Sequence, residues 1–236
     1  MNYSLYDLPD SGQNPVVYMD ISLKETSLGR IYIRLFRDIF PAGVENFVNI
    51  AAGNTYRVIT KGYGKYHYQK QIRRTYDGCK FYHSIHNNYL VSGDIYKNDG
   101  TNAGTIYCDQ PIPPDFGDEF IPHETKGLVS LVPFTDEETG QIFYDSTFMI
   151  TLDNAKPFNL IKDLDSDQIV IGYIYEGLDV LDKINGFIKP FAGKKNPVFV
   201  ISHAGVYYKN RPARRHPLAP TRKNRKLYRE PIPCDS

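Results

Sequence analysis

Tryptophan is missing altogether, and cysteine and methionine occur only three times each. Cys79, Cys108 and Cys234 are odd in number, far apart and without a CxxC pair, so the spacing predicts neither a disulfide framework nor a zinc site. No apolar run approaches the ~20 residues that a membrane helix needs. The opening residues, MNYSLYDLPDSGQNP, lack the basic and apolar regions of a signal peptide. The Asn98–Gly104 turn lacks the Gly-Lys-Ser/Thr ending of a phosphate loop. Internal repeats are absent too. These absences predict a soluble protein in a reducing compartment, cytoplasmic or nuclear.

What is present is charge separated along the chain. Lys209 to Arg229 holds nine Lys/Arg and no Asp/Glu, which leaves residues 1–208 with 19 basic against 25 acidic residues, a net of −6. The whole-chain value of +1 hides an acidic body and a basic tail. The tail carries five prolines among its bases, so it reads as an extended arm rather than a helix.

Hydrophobic periodicity places the elements. Val17, Met19, Ile21 and Leu23 alternate with polar neighbours, and Ile31, Ile33 and Leu35 do so after a Leu28-Gly29-Arg30 turn, giving a β-hairpin. Val44, Phe47, Val48 and Ala51 recur at helical spacing between Pro41, a tolerated first-turn proline, and Gly53, a helix stop. Tyr56 to Tyr76 has no core period and interleaves bases with tyrosines, a pattern seen in nucleic-acid binders. The preferred reading is a solvated hairpin or long loop whose tyrosines pack on the body. Cys79 to Tyr96, CKFYHSIHNNYLVSGDIY, reads as two short strands around a polar turn. Strands are predicted at Leu128–Val132, Thr147–Leu152, Gln168–Tyr175 and from Val198 to Val206. An acidic insertion separates the first two, and a second helix is marked by Leu178, Leu181, Ile184 and Phe187.

Several of these segments, in this order, resemble the cyclophilin family over about residues 16 to 208. They are the opening hairpin, FPAGVENFVNIAAG with Glu45-Asn46-Phe47, FYHSI followed by Ser92-Gly93-Asp94, GTNAGTIY, DFGDEF, KGLVSL, STFMIT and QIVIGYIYEGLDVLDKI. The resemblance implies a mainly β fold, a closed eight-stranded antiparallel barrel capped by two helices, and a peptidyl-prolyl cis-trans isomerase ancestry. The domain layout is then a polar leader (1–15), a cyclophilin-like domain (16–208) with an insertion at about 56–76, and a basic arm (209–236). The abundance of Tyr, Asn and Ile fits an AT-rich genome. Together with the divergent site described next, it extends the resemblance to a cyclophilin of a large DNA virus, for which a virion location is an option.

The same resemblance puts the chemistry in question. Prolyl isomerisation is slow because the C–N bond has partial double-bond character, and the family lowers that barrier with a charged arginine beside the prolyl amide. His83 stands at that position here. An arginine is always charged and rigidly forked, whereas an imidazole ordinarily loses its charge near pH ~6.5. By analogy with deleting an oxyanion-hole donor, the loss costs ~2–4 kcal/mol, or ~10²–10³ in rate. The family's Phe-Met pair falls at Asn88 and Tyr89, and its two pocket glutamines fall at Val91 and Thr147. Its Ala-Asn pair falls at Val132 and Pro133, its pocket phenylalanine at Met149 and its pocket histidine at Gln168. The pocket tryptophan, which contributes to cyclosporin binding, is Asp163, and Leu164 is retained.

These substitutions predict a protein-binding or structural module with little or no isomerase activity, weak or absent cyclosporin binding, and no cofactor. The alternatives are a weak but genuine isomerase that assists folding, and a nucleic-acid-associated protein acting through its basic segments. Partners expected are proline-containing protein segments and a second copy reached through the C-terminal arm; nucleic acid is less favoured and no membrane is expected. His83 and His86 form H-x-x-H, with His67 and His123 as further nitrogen donors, but on a hairpin turn and without an acidic ligand this is not read as a metal site.

Overall fold

The computed structural model describes residues 14–63, 66–115, 120–157, 159–190 and 196–207, the side chains of 63, 66 and 67 excepted. The expected basic arm and nearly all of the polar leader lie outside these residues.

The chain opens as the expected hairpin, β1 (Val16–Leu23) and β2 (Thr26–Leu35), and Val17, Met19, Ile21, Ile31, Ile33 and Leu35 are all fully buried on one face. Helix α1 (Pro41–Ala52) begins on proline and ends at Gly53, whose left-handed backbone (φ 59°) lets its N–H reach the carbonyls of Asn49 and Ile50. A ribbon of two strands follows, β3 (Thr55–Tyr63) and β4 (Tyr66–Arg74). Next come β5 (His83–Ile85), β6 (Tyr89–Ser92), β7 (Leu128–Thr135) and β8 (Ile142–Thr151). A 3-10 turn (Lys162–Ser166), β9 (Ile169–Glu176), α2 (Leu178–Phe187) and β10 (Phe199–Tyr207) complete the order.

Eight strands form one curled antiparallel sheet, in the order β10-β1-β2-β9-β7-β8-β6-β5, and β3 and β4 form a separate two-stranded sheet. The expected closed barrel is therefore not formed, because the end strands β10 and β5 do not pair with each other. Strand β5 is only three residues long, and it is the stretch just before it that runs beside β10. Gly78 N–H donates to Ile201 O (2.7 Å), Ile201 N–H to Cys79 O (2.8 Å) and Phe81 N–H to Phe199 O (2.9 Å).

The concave face holds the core, and α1 contributes Val44, Phe47, Ile50 and Ala51 to it. Phe47, Tyr76 and Phe148 meet with ring centroids 5.0–5.2 Å apart, a tilted and edge-on packing that suits aromatic quadrupoles. Beside Phe47 the buried Asn46 amide donates to Asp145 O (3.3 Å) and accepts from Ile106 N–H (2.8 Å). The Glu45-Asn46-Phe47 motif is thus a packing device that ties the helix to the β8 region and to the loop after β6.

Two other expectations change. The acidic stretch after Val132 is not an insertion between two separate strands. It extends the β7–β8 hairpin, with Pro133 opposite Tyr144 and Thr135 opposite Ile142. In the basic, tyrosine-rich segment, Tyr76 is buried, but Tyr56 and Tyr68 are 42% and 62% exposed instead of packing on the body. Of the cysteines, Cys79 is free and buried.

Candidate functional site

Strand alternation builds a second, smaller apolar cluster on the face opposite the core. Leu90, Phe148, Ile150, Val129 and Leu131 point to the core, so their neighbours along the same strands point the other way. Pairing then lines up His83 on β5, Val91 on β6, Met149 on β8 and Ser130 on β7 in one row across four strands. Val91 and Met149 are buried, and Leu164 from the 3-10 turn closes over them. Tyr82, Tyr89 and Val132 pack partly buried around these three. The result is a small apolar cluster with two tyrosines at its margin.

His83 is exposed at the end of this row, and its ring makes no hydrogen bond among the described residues. Its ring lies 5.8 Å from that of Tyr89, tilted by 39°. Tyr82 shares a hydrogen bond with Thr147, and burial pushes its hydroxyl up to about 12 despite that bond. It therefore keeps its proton at physiological pH. Thr147 N–H also donates to Asp145 Oδ1 (2.7 Å), and burial raises the Asp145 carboxyl against the opposing pull of Thr147. One margin of the cluster is thus a Tyr82–Thr147–Asp145 chain of polar groups.

The segment that carries Leu164 is held down by a buried network behind Met149. Fully buried His123 bridges Asp165 through Nδ1 (2.6 Å) and Ser130 Oγ through Nε2 (2.5 Å). Burial lowers the His123 pKa below its ordinary value, with Asp165 pulling the other way. Ser130 follows Met149 in the cross-strand row, so this network sets where Leu164 and Met149 meet.

Of the residues expected from sequence, Val91, Met149, Leu164, Tyr89 and Val132 come together, with His83 beside them. Thr147 lies at the margin. Asn88 does not join the cluster. It is buried in the β5–β6 turn, where its amide donates to His86 O (2.9 Å) and accepts from Leu160 N–H (2.6 Å). Pro133 lies past an irregularity in the β7–β8 register, opposite Tyr144. Gln168 follows the 3-10 turn, and its Oε1 is buried without a hydrogen-bond partner among the described residues. Tyr82, Asp145 and the His123–Asp165 pair were not singled out as site residues. Polar networks assembled from residues 82, 145 and 147 and from residues 123, 130 and 165 have no local period to reveal them.

The H-x-x-H histidines are not brought to one point. His86 Nδ1 lies 3.2 Å from Asn185 O and His123 belongs to the separate network. No helix among the described residues is long and apolar enough to cross a membrane.

The model of the cyclophilin type peptidyl-prolyl cis-trans isomerase family matches residues 18–206. A structural PPIase-like protein of Acanthamoeba polyphaga mimivirus is 62% identical over 215 residues, covering 91% of this chain and 92% of the relative. The crystal structure of the mimivirus cyclophilin superposes with a TM-score of 0.72 at 59% identity, over 88% of this chain and 96% of that one. A Bos taurus protein named as a probable inactive peptidyl-prolyl cis-trans isomerase is 30% identical over 183 residues, 77% of this chain and 51% of that protein.

Proposed function

This chain belongs to the cyclophilin family, and on that premise we propose that it is a binding module for extended, proline-containing protein segments, with little or no isomerase activity. One observation carries the reading. Val91, Met149 and Leu164 form an apolar cluster, while the position aligned with the family's arginine carries an exposed His83 whose ring makes no hydrogen bond among the described residues. A ring turned toward Tyr89 supplies no fixed positive donor to a prolyl amide, so transition-state stabilisation is lost while apolar contact remains. The word "structural" in the name of the mimivirus relative agrees with this reading. Asp163, exposed where the family has tryptophan, removes an aromatic wall, and cyclosporin is expected to bind weakly or not at all.

A second reading, a weak isomerase with His83 as donor, rests on the alignment of His83 with Val91 and Met149. The basic arm (209–236) is proposed to dock on the acidic body of a second copy. Truncation at Lys209 should then lower the mass in solution, and an unchanged mass would remove that proposal.

Calorimetric titration tests the binding reading, with a proline-containing peptide and its Pro→Ala twin as probes. The wild type should prefer the proline peptide, and Val132→Arg at the margin should abolish the preference. Equal binding of both peptides, or binding indifferent to Val132→Arg, would place the contact elsewhere.

A further inference from the structure

The β3–β4 ribbon takes no part in the apolar cluster. Between Thr55 and Arg74 there is no Asp or Glu, and there are six Lys/Arg. Only its base is tied to the body. Arg73 Nε donates to Gly53 O (2.5 Å), Arg74 Nε to Asp109 Oδ1 (3.2 Å), and Arg57 lies 3.3 Å from Asp109 Oδ2. Among the described residues, none from Val58 to Ile72 makes a hydrogen bond or ion pair outside the ribbon. Nine residues per strand span ~30 Å at ~3.3 Å each, several times the ~10 Å Debye length at ordinary salt. The negative charge of the body is therefore screened from the outer half of the ribbon.

Register decides what the outer half presents. Lys61 pairs with Tyr68, and Lys70 pairs with Ile59, so Lys61, Tyr68 and Lys70 share one face. Tyr68 is 62% exposed, and both lysines are exposed without a carboxylate partner among the described residues. The arginines on the same face, Arg57 and Arg74, are both drawn to Asp109 at the base, away from the outer half. What remains is an open aromatic ring flanked by two unpaired cations.

The geometry points to a binding site for single-stranded nucleic acid on this face of the ribbon, with a base stacked on Tyr68 and the flanking phosphates on Lys61 and Lys70. Stacking on an exposed aromatic ring between cations is tolerant of sequence, because every base offers a π-face, and salt-dependent, because phosphate contacts release counterions. A carboxylate-bearing protein surface would engage the lysines but would leave the Tyr68 ring without a planar partner.

The test is fluorescence anisotropy of the full chain with labelled oligothymidylate of about twenty nucleotides, from ~50 to ~200 mM salt. Because the basic tail also attracts anions, the readout is the difference made by ribbon variants. Tyr68→Ala should weaken binding roughly 5- to 100-fold, and Tyr68→Phe should restore it. Lys61→Gln with Lys70→Gln should reduce the slope of log affinity against log salt by about 1.4. All three positions are exposed, and unchanged circular dichroism confirms that the variants fold. Binding that ignores these substitutions, or no binding by the wild type, overturns the proposal. So does an altered mass in solution with unaltered oligonucleotide affinity, which would assign the face to a second copy.

Discussion

His83 and Tyr89 are diagonal neighbours across the β5–β6 hairpin, their ring centroids 5.8 Å apart. The side chain that should meet a prolyl amide instead leans on an aromatic neighbour and donates to nothing among the described residues. If this face only binds, His83 is a bystander. His83→Ala should change affinity for a proline peptide less than threefold, roughly 0.6 kcal/mol, whereas Tyr89→Ala should weaken it about tenfold. Calorimetry on both variants checks this, and a collapse of affinity in His83→Ala would show that the imidazole grips the ligand.

The His123 network beside the apolar cluster gives a pH dependence. The folded state holds the His123 pKa below its ordinary value through burial, against the opposing pull of Asp165. As pH falls below ~6.5, the unfolded chain takes up a proton that the folded chain refuses, so stability falls. Thermal unfolding between about pH 7 and 5 should show this decline, and His123→Gln should flatten it while lowering stability overall by about 2–4 kcal/mol. A pH profile identical in the variant would mean that other groups control it.

Asp94 holds the loop after β6. Its carboxylate accepts six backbone N–H groups, from Tyr96, Lys97, Asp99, Gly100, Thr101 and Asn102, at 2.8–3.2 Å. Burial alone would raise its pKa, but these bonds hold it well below the usual carboxylate range. That stabilisation is fully present above ~3.9 and is lost as pH falls toward the folded-state value. Asp94→Ala should cost about 2–4 kcal/mol in denaturant unfolding, and a loss under ~0.5 kcal/mol, the scale of ordinary surface substitutions, would show that water replaces the carboxylate readily.

Cys79 should be chemically silent. Burial pushes its thiol up to about 12, with the charges of Asp94 and Asp77 adding to the effect. Iodoacetamide at about pH 8 should leave Cys79 unmodified in the folded chain and alkylate it after unfolding, because only the thiolate reacts. Peptide mass mapping reads this directly, and rapid modification of native Cys79 would contradict its burial.

Most of the fold was legible because it is local. Alternation at Val17–Leu23 and Ile31–Leu35, and the Pro41 and Gly53 boundaries of α1, are set by neighbours a few residues away. The mutual placement of Val91, Met149 and Leu164 was legible only through the family resemblance, since their contact depends on the order of β6, β8 and the 3-10 turn. Closure failed as an expectation because it depends on where a three-residue strand stops, which no periodicity encodes. The β7–β8 extension was missed because Asp136 to Gly140 reads as an acidic loop. It is in fact the tight end of a hairpin, where Asp136 accepts from the backbone N–H and the hydroxyl of Thr139. The His123–Asp165–Ser130 chain was illegible, because it couples a loop, a turn and a strand through side chains 7 and 42 residues apart.

The central claim is that the scaffold keeps a site for proline segments without the donor that isomerises them. A protease-coupled prolyl isomerisation assay on a proline peptide, comparing the wild type with His83→Arg, tests it most directly. The account predicts a wild-type rate at background and a measurable gain in His83→Arg, short of a full site because the Val91 and Thr147 substitutions remain. Turnover by the wild type at the level of an arginine-bearing cyclophilin would contradict it and make His83, or a residue not identified here, a working donor.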